Sequence, residues 1–299
     1  MRVRAAVDTG ELTSATLVSD LVELTKPRIT LMVVVTAGIG MLLAASGGLP
    51  IELIVHTLLG TALLSAGSSA LNQVLERDLD ALMERTADRP LPAGRMSADA
   101  GLLFGVGLAI VGLLELAVGV NLLTALLGAV ALAGYIFVYT PLKRFSSLAT
   151  LVGAIPGAIP PLMGWAAVDN SIGVGGWVLF GILFLWQLPH FLAIAWLCRE
   201  DYARAGFPML PVIEPNGRST ARQMILYGAA LLPVSLLPTI LGLTGPTYFL
   251  GTLALGCFFL GFCVAFSLSF SRQAARRVLL ISVLYLPAVL VVMVLDRVA

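Results

Sequence analysis

Residues 72–95 read NQVLERDLDALMERTADRPLPAGR, and they follow without a break on the apolar run at 51–71. How that junction is read decides the fold. If the helix of the apolar run continues through it, Asn72, Glu76, Asp80 and Glu84 recur every four residues and line one face, drifting slowly around the axis. Like charges at this spacing repel. A row of oxygens at the end of a membrane helix gains a use when a cation sits on it, and magnesium carrying substrate phosphates is the commonest such cation. Beside the row, Arg77, Arg85 and Arg89 form a second stripe suited to phosphate oxygens. Charge-mixed connections between membrane helices otherwise only solvate the chain and fix its topology; the ordered spacing favours chemistry.

Outward from this stretch the chain is oil. Of its 299 residues 59% are hydrophobic and 12% charged, where a soluble domain carries about a quarter charged. The composition predicts an all-α, polytopic membrane protein. Windows of about twenty apolar residues place spans at 29–46, 51–72, 99–118, 121–139, 149–167, 174–197, 223–242, 246–267 and 277–296. Lys and Arg test that count. They fall in the N-terminal segment (Arg2, Arg4, Lys26, Arg28) and in alternate connections, after the second span (Arg77, Arg85, Arg89, Arg95), the fourth (Lys143, Arg144), the sixth (Arg199, Arg204, Arg218, Arg222) and the eighth (Arg272, Arg276, Arg277). Only Arg297 falls on the other side. One span more or fewer would break the alternation, so the N-terminus and these connections are expected in the cytoplasm of a plasma-membrane protein, with the C-terminus external.

A net charge of +1 implies no nucleic-acid surface. Cys198, Cys257 and Cys263 have no zinc or redox spacing and read as packing residues. Residues 1–24 form an N-terminal segment ahead of a membrane domain at 25–299, and its Leu17, Val18, Leu21, Val22 and Leu24 suggest a short helix lying in the interface. Lys26 and Arg28 then stand at the mouth of the first span, placed either to anchor it to anionic headgroups or to bind phosphate. His56, Glu52 and Glu115 lie near outer ends and read as interfacial groups. Pro156, Pro160 and Pro161 should kink the fifth span. The sixth carries WQLPHF at 186–191, and an ionisable His190 inside a membrane is a candidate for function as much as for structure. The connection after it, 198–222, repeats the charge density of 72–95, with Glu200 and Asp201 in its first turn.

The run from Asn72 to Asp80, with Met83 to Thr86 and Arg89-Pro90, resembles the first acidic motif of the UbiA-type intramembrane prenyltransferases. Lys26 to Arg28, Tyr139 to Arg144, Pro160 to Trp165, Trp186 to Phe191, and Asp201-Tyr202 with Ala205 to Pro211 narrow the resemblance to the protohaem IX farnesyltransferase branch, over about two thirds of the chain. Glu76 stands where the superfamily motif usually carries Asp, and only Glu200 and Asp201 stand for the second motif's two aspartates.

The resemblance implies nine helices around a central cavity and transfer of farnesyl from farnesyl diphosphate to a vinyl group of haem B, with addition of water. It implies magnesium on Asn72, Glu76 and Asp80, with Glu200 and Asp201 as further ligands and Asp78 as a further catalytic acid. Lys26, Arg28, Arg85, Arg89, Lys143 and Arg144 would hold the diphosphate and His190 the haem iron. Lipid bilayer surrounds such an enzyme, and haem A synthase or terminal-oxidase assembly proteins are its implied neighbours. A UbiA-type enzyme acting on an aromatic quinone precursor and a secondary transporter are the alternatives. The first has no need of the His190 cluster, and the second has no need of carboxylates beside arginines at one membrane face.

Overall fold

The computed structural model describes residues 14–298, so Arg2 and Arg4 of the N-terminal segment lie outside the described residues. Among the described residues, a short helix, α1 (Ser14–Leu24), precedes nine helices that are long and apolar enough to cross a membrane. These are α2 (Pro27–Ala44), α3 (Ile51–Asp80), α4 (Ala98–Gly119), α5 (Leu122–Leu142), α6 (Ala149–Asp169) and α7 (Val174–Leu197), then α10 (Arg218–Ile240), α11 (Pro246–Ser269) and α12 (Arg272–Leu295). Two short helices, α8 (Arg199–Arg204) and α9 (Leu210–Ile213), fold the connection after α7.

Each expected span is present, and several run on at the end where the basic residues gather. α3 extends to Asp80, α10 begins at Arg218 and α12 at Arg272. At 30 residues, α3 is about 45 Å long. That exceeds the roughly 30 Å hydrocarbon core, so its last polar turns stand outside the oil. The helix stops at Asp80, which corrects the expected row. Leu82 N–H turns back to the Leu79 carbonyl and Met83 N–H to that of Asp80. The Thr86 hydroxyl donates to the same Asp80 carbonyl at 2.8 Å, taking its second lone pair at the helix end. Glu84 therefore leaves the face shared by Asn72, Glu76 and Asp80, and Arg77 separates from Arg85 and Arg89.

α3 and α4 meet backbone to backbone. A side-chain carbon on Gly67 would lie 2.7 Å from the Ala109 nitrogen, and one on Gly112 2.7 Å from the Leu64 nitrogen. Such small-residue seams are how helices associate in lipid, where no hydrophobic force separates packed from unpacked. α2 meets α6 the same way, Gly40 against the Pro161 carbonyl and Gly164 against that of Ala37. The prolines break α6 as expected, into Ala149–Ala158 and Pro160–Asp169 with Ile159 between.

α5 contains a wide turn over Gly134–Tyr139. Pro141 lacks an N–H and its ring clashes with the carbonyl four residues back, and the Thr140 hydroxyl donates to the Tyr135 carbonyl at 2.8 Å. A widened turn of this kind is one of the recognised ways a helix absorbs such a clash. The apolar bulk gathers on α7, α10, α11 and α12 around Trp196, Tyr248, Phe259, Phe266 and Tyr285. α2, α3, α5, α6, α7 and α12 enclose a cavity.

Candidate active site

The cavity has a volume of about 550 Å³, within the usual range for a small-molecule site. Lys26 and Arg28 stand at one end and Thr61, Leu64 and Met163 at the other. Asn72 and Thr61 are eleven residues apart on α3, or about 16 Å of helix rise. A polar stripe connects them, because Thr61, Ser65, Ser68 and Ser69 also line the cavity.

At the polar end three groups of the expected row are buried together, Asn72, Glu76 and Asp80 being 2–3% exposed. Each has a partner. Lys143 donates to both Glu76 oxygens, at 2.7 and 2.9 Å. Arg89 donates to Asp80 Oδ2 at 2.7 Å. Lys26 lies 3.5 Å from Asn72 Oδ1, while Asn72 Nδ2 donates to Thr140 in the wide turn at 3.1 Å. Three cations thus face two carboxylates, and the excess charge is positive. Burial holds the Lys26 pKa down to about 8, helped by Arg89 and Lys143 and opposed by Glu76 and Asp80. An arriving anion would favour its charged form.

Among the described residues no three His, Cys, Asp or Glu side chains converge as a ready metal cage. The donor set still fits magnesium, which binds through one or two carboxylates and completes its octahedron with water and substrate phosphates. Asn72, Glu76 and Asp80 supply hard oxygens on one helix face, next to the cations Lys26, Arg89 and Lys143.

Other expected site residues sit differently. Asp78 is exposed and paired with Arg77 at 3.1 Å. Glu200 is exposed and reaches Arg272 at 3.3 Å, away from the row. Asp201 is largely buried, yet it pairs with Arg204 and accepts from the Glu84 N–H at 3.1 Å, so it joins the two polar connections. Arg204 also holds Glu84 at 2.9 Å. Met83 packs on Phe207 and Met209 beneath them, and Tyr202 lies alongside. Arg144 donates to the Leu75 carbonyl at 2.8 Å on the exposed side. Arg85 is exposed.

Deeper in the cavity, His190 stacks on Trp186 with centroids 5.0 Å apart. Its Nδ1 is 2.7 Å from Ser282 Oγ. The Ser282 hydroxyl donates its proton to the Leu279 carbonyl at 2.6 Å, so Ser282 accepts from His190. Nδ1 then carries the proton and Nε2 holds the lone pair left for a ligand. Trp186 Nε1 donates to the Ser282 carbonyl at 2.8 Å and completes the bracket. His56 instead pairs with Glu115 at 2.7 Å and does not line the cavity.

The sequence reading gave no role to Tyr135, Tyr139, Thr140, Gln187 or Ser282. Tyr135 and Tyr139 stack at 5.2 Å and line the cavity, with Lys143 Nζ 5.4 Å from the Tyr139 centroid. Their four-residue spacing just before Lys143 was the available signal. Ser282, alone in an apolar span, gave none.

The model of the UbiA prenyltransferase family matches residues 32–289. The chain belongs to the UbiA prenyltransferase family. Curated UbiA-type relatives include the protoheme IX farnesyltransferase of Solibacter usitatus, 52% identical over 93% of this chain and 98% of that protein. That of Myxococcus xanthus is 46% identical over 95% and 96%. A digeranylgeranylglyceryl phosphate synthase structure superposes with a TM-score of 0.78 at 16% identity, over 93% of this chain and 98% of its own. A UbiA homologue from Archaeoglobus fulgidus bound to GPP and Mg2+ gives 0.65 at 15% identity, over 92% and 99%. Like its UbiA relatives, this protein is a multi-pass membrane transferase.

Proposed function

We propose that this prenyltransferase joins farnesyl diphosphate to a vinyl group of haem B, with addition of water, giving haem O and diphosphate. The observation that carries the reading is His190, a ring whose free nitrogen is available to an apolar cavity that begins at Lys26 and Arg28, Lys26 standing next to the buried row of Asn72, Glu76 and Asp80. A porphyrin offers few handles other than its iron and propionates, and neutral imidazole is a common axial ligand. His190 lies seven residues before the end of α7, or about 10 Å of rise. That depth sets the porphyrin beneath a diphosphate held at the membrane face. The curated relatives carry the name of this activity.

Bound magnesium would be held by Asn72, Glu76 and Asp80 and would supply Lewis-acid neutralisation of the diphosphate. Lys26, Arg89 and Lys143 turn their charge to the leaving group, with Arg28 at the same end of the cavity. The allylic carbon–oxygen bond breaks with its electron pair leaving on diphosphate. Tyr135 and Tyr139 line the cavity near the cation so formed, and the apolar walls keep water from it. The terminal vinyl carbon bonds to the farnesyl C1. Water then adds to the carbon next to the porphyrin ring and releases a proton. The site opens to the cytoplasm of a plasma-membrane protein in this reading, the C-terminus is external, and haem A synthase or oxidase assembly proteins receive the product. Asp78 and Glu200 have no part in it, and Asp201 closes the polar connections.

Incubating purified protein with labelled farnesyl diphosphate, haem B and magnesium tests the proposal. Labelled haem O is the expected product. Label appearing only in an aromatic quinone precursor supplied in competition would overturn it.

A further inference from the structure

Lys26 reaches the site on a strained backbone. Its φ is +46°, a left-handed conformation that a residue with a side chain adopts only where the surroundings enforce it. The surroundings here are the contacts of α1. Leu24 is fully buried against Ala70, Leu91 and Met96. Gln73, next to Asn72 on α3, donates Nε2 to the Leu24 carbonyl at 2.9 Å. From the far end of the polar connection, Arg95 donates Nε to Asp20 at 3.0 and 3.3 Å and lies 3.5 Å from Glu23. Its Nη1 donates to the Asp88 carbonyl at 2.8 Å, beside Arg89. One guanidinium therefore ties two acidic groups of α1 to the segment that carries another cation of the site.

A helix that only rests on lipid explains the exposed Leu17, Val18 and Val22. It does not explain Asp20, a carboxylate 5% exposed. Burying a charge is costly unless it is paired, and the pair it makes is with Arg95.

We infer that Arg95 is a positioning residue of the diphosphate site: held by Asp20 and Glu23, it fixes α1 against α3 so that Lys26 stands at Asn72. The inference rests on the reading of Lys26 as a diphosphate contact. Arg95 does not line the cavity, so its influence passes through Lys26.

A double-mutant cycle on the full chain in detergent or nanodiscs tests it, with the affinity for farnesyl thiolodiphosphate in magnesium as the readout. Lys26→Ala should weaken binding about tenfold, the scale of one lost charge-assisted hydrogen bond. Arg95→Ala should weaken it about five- to tenfold in the parent and less than about twofold when Lys26 is already Ala, because coupled residues are not additive. Arg95→Lys, which keeps a cation and a donor facing Asp20, Glu23 and the Asp88 carbonyl, should hold affinity to within about threefold of the parent. Equal losses from Arg95→Ala with and without Lys26, or no loss at all, would overturn the positioning role while leaving the site reading intact. No loss from Lys26→Ala would remove the site reading and the inference with it. If Arg95→Ala unfolds the protein, Arg95→Lys carries the same cycle: a loss seen only with Lys26 present supports the positioning role, and an equal loss with and without Lys26 overturns it.

Discussion

Lys143 Nζ lies 2.7 Å from one oxygen of Glu76 and 2.9 Å from the other, although 67 residues separate the two in sequence. A cation at the end of α5 is thus stored on a carboxylate of α3, within 5.1 Å of the Phe207 ring centroid. It stands where a diphosphate and a metal would share it.

Glu76→Gln and Asp80→Asn each remove an anionic oxygen from this arrangement. Each should lower turnover by at least about 100-fold, the scale of losing a key electrostatic stabiliser, and shift the magnesium requirement upward. Steady-state rates across a magnesium titration measure both effects. Parent-like rates and metal response in both variants would remove the assignment.

His190→Ala should abolish the axial-ligand signature in the Soret band and weaken haem binding, with farnesyl thiolodiphosphate affinity unchanged. Ser282→Ala frees the ring to choose either tautomer, so it should weaken haem binding by a smaller factor, about 10-fold, as outer partners of metal-ligating histidines do. Spectral titration of the two variants decides it. An unaltered spectrum in His190→Ala would return the residue to a packing role.

Much of the fold could be read from the chain because its signals are local. Apolar runs of membrane length and the alternation of Lys and Arg depend only on neighbouring residues, and both placed the nine spans. The apolar windows stopped short at 73–80, 218–222 and 272–276 because polarity rises there while the backbone hydrogen bonds continue. Within the site, Asn72, Glu76 and Asp80 were visible through their four-residue period. Glu84 had the same period, yet a hydroxyl six residues beyond Asp80 takes the carbonyl that would have continued the helix. Pairs such as Glu76 with Lys143, or His190 with Ser282, join segments far apart in sequence, and no local pattern announces them.

Replacing Gly67 by Leu should separate α3 from α4 and destabilise the protein by about 1–3 kcal/mol or more, the usual cost of overpacking. Thermal unfolding in micelles measures this. An unchanged midpoint would mean that the two helices do not need their close approach.

Reporter fusions test the orientation. A cytoplasmic marker should be active after Arg95 and after Arg222, and an external one after Val298. A polar connection between α3 and α4 found outside the cell would overturn the placement of the site.

The glycine seam has a mechanical side. With backbone against backbone at Gly67 and Gly112, and with Leu116 seated on Gly60 and Leu71 on Gly105, α3 and α4 have little room between them to re-pack, so they act as one slab and keep the acidic row at fixed height. In the proposed reaction a porphyrin has to be admitted by whatever faces that slab. There the lining is interrupted by Pro156 and Pro160 of α6 and Pro287 of α12, residues that weaken the hydrogen-bond ladder of their own helices. The chamber has one stiff wall that carries the charges and one compliant wall that yields to the guest, and breathing of the second need never disturb the alignment of the first.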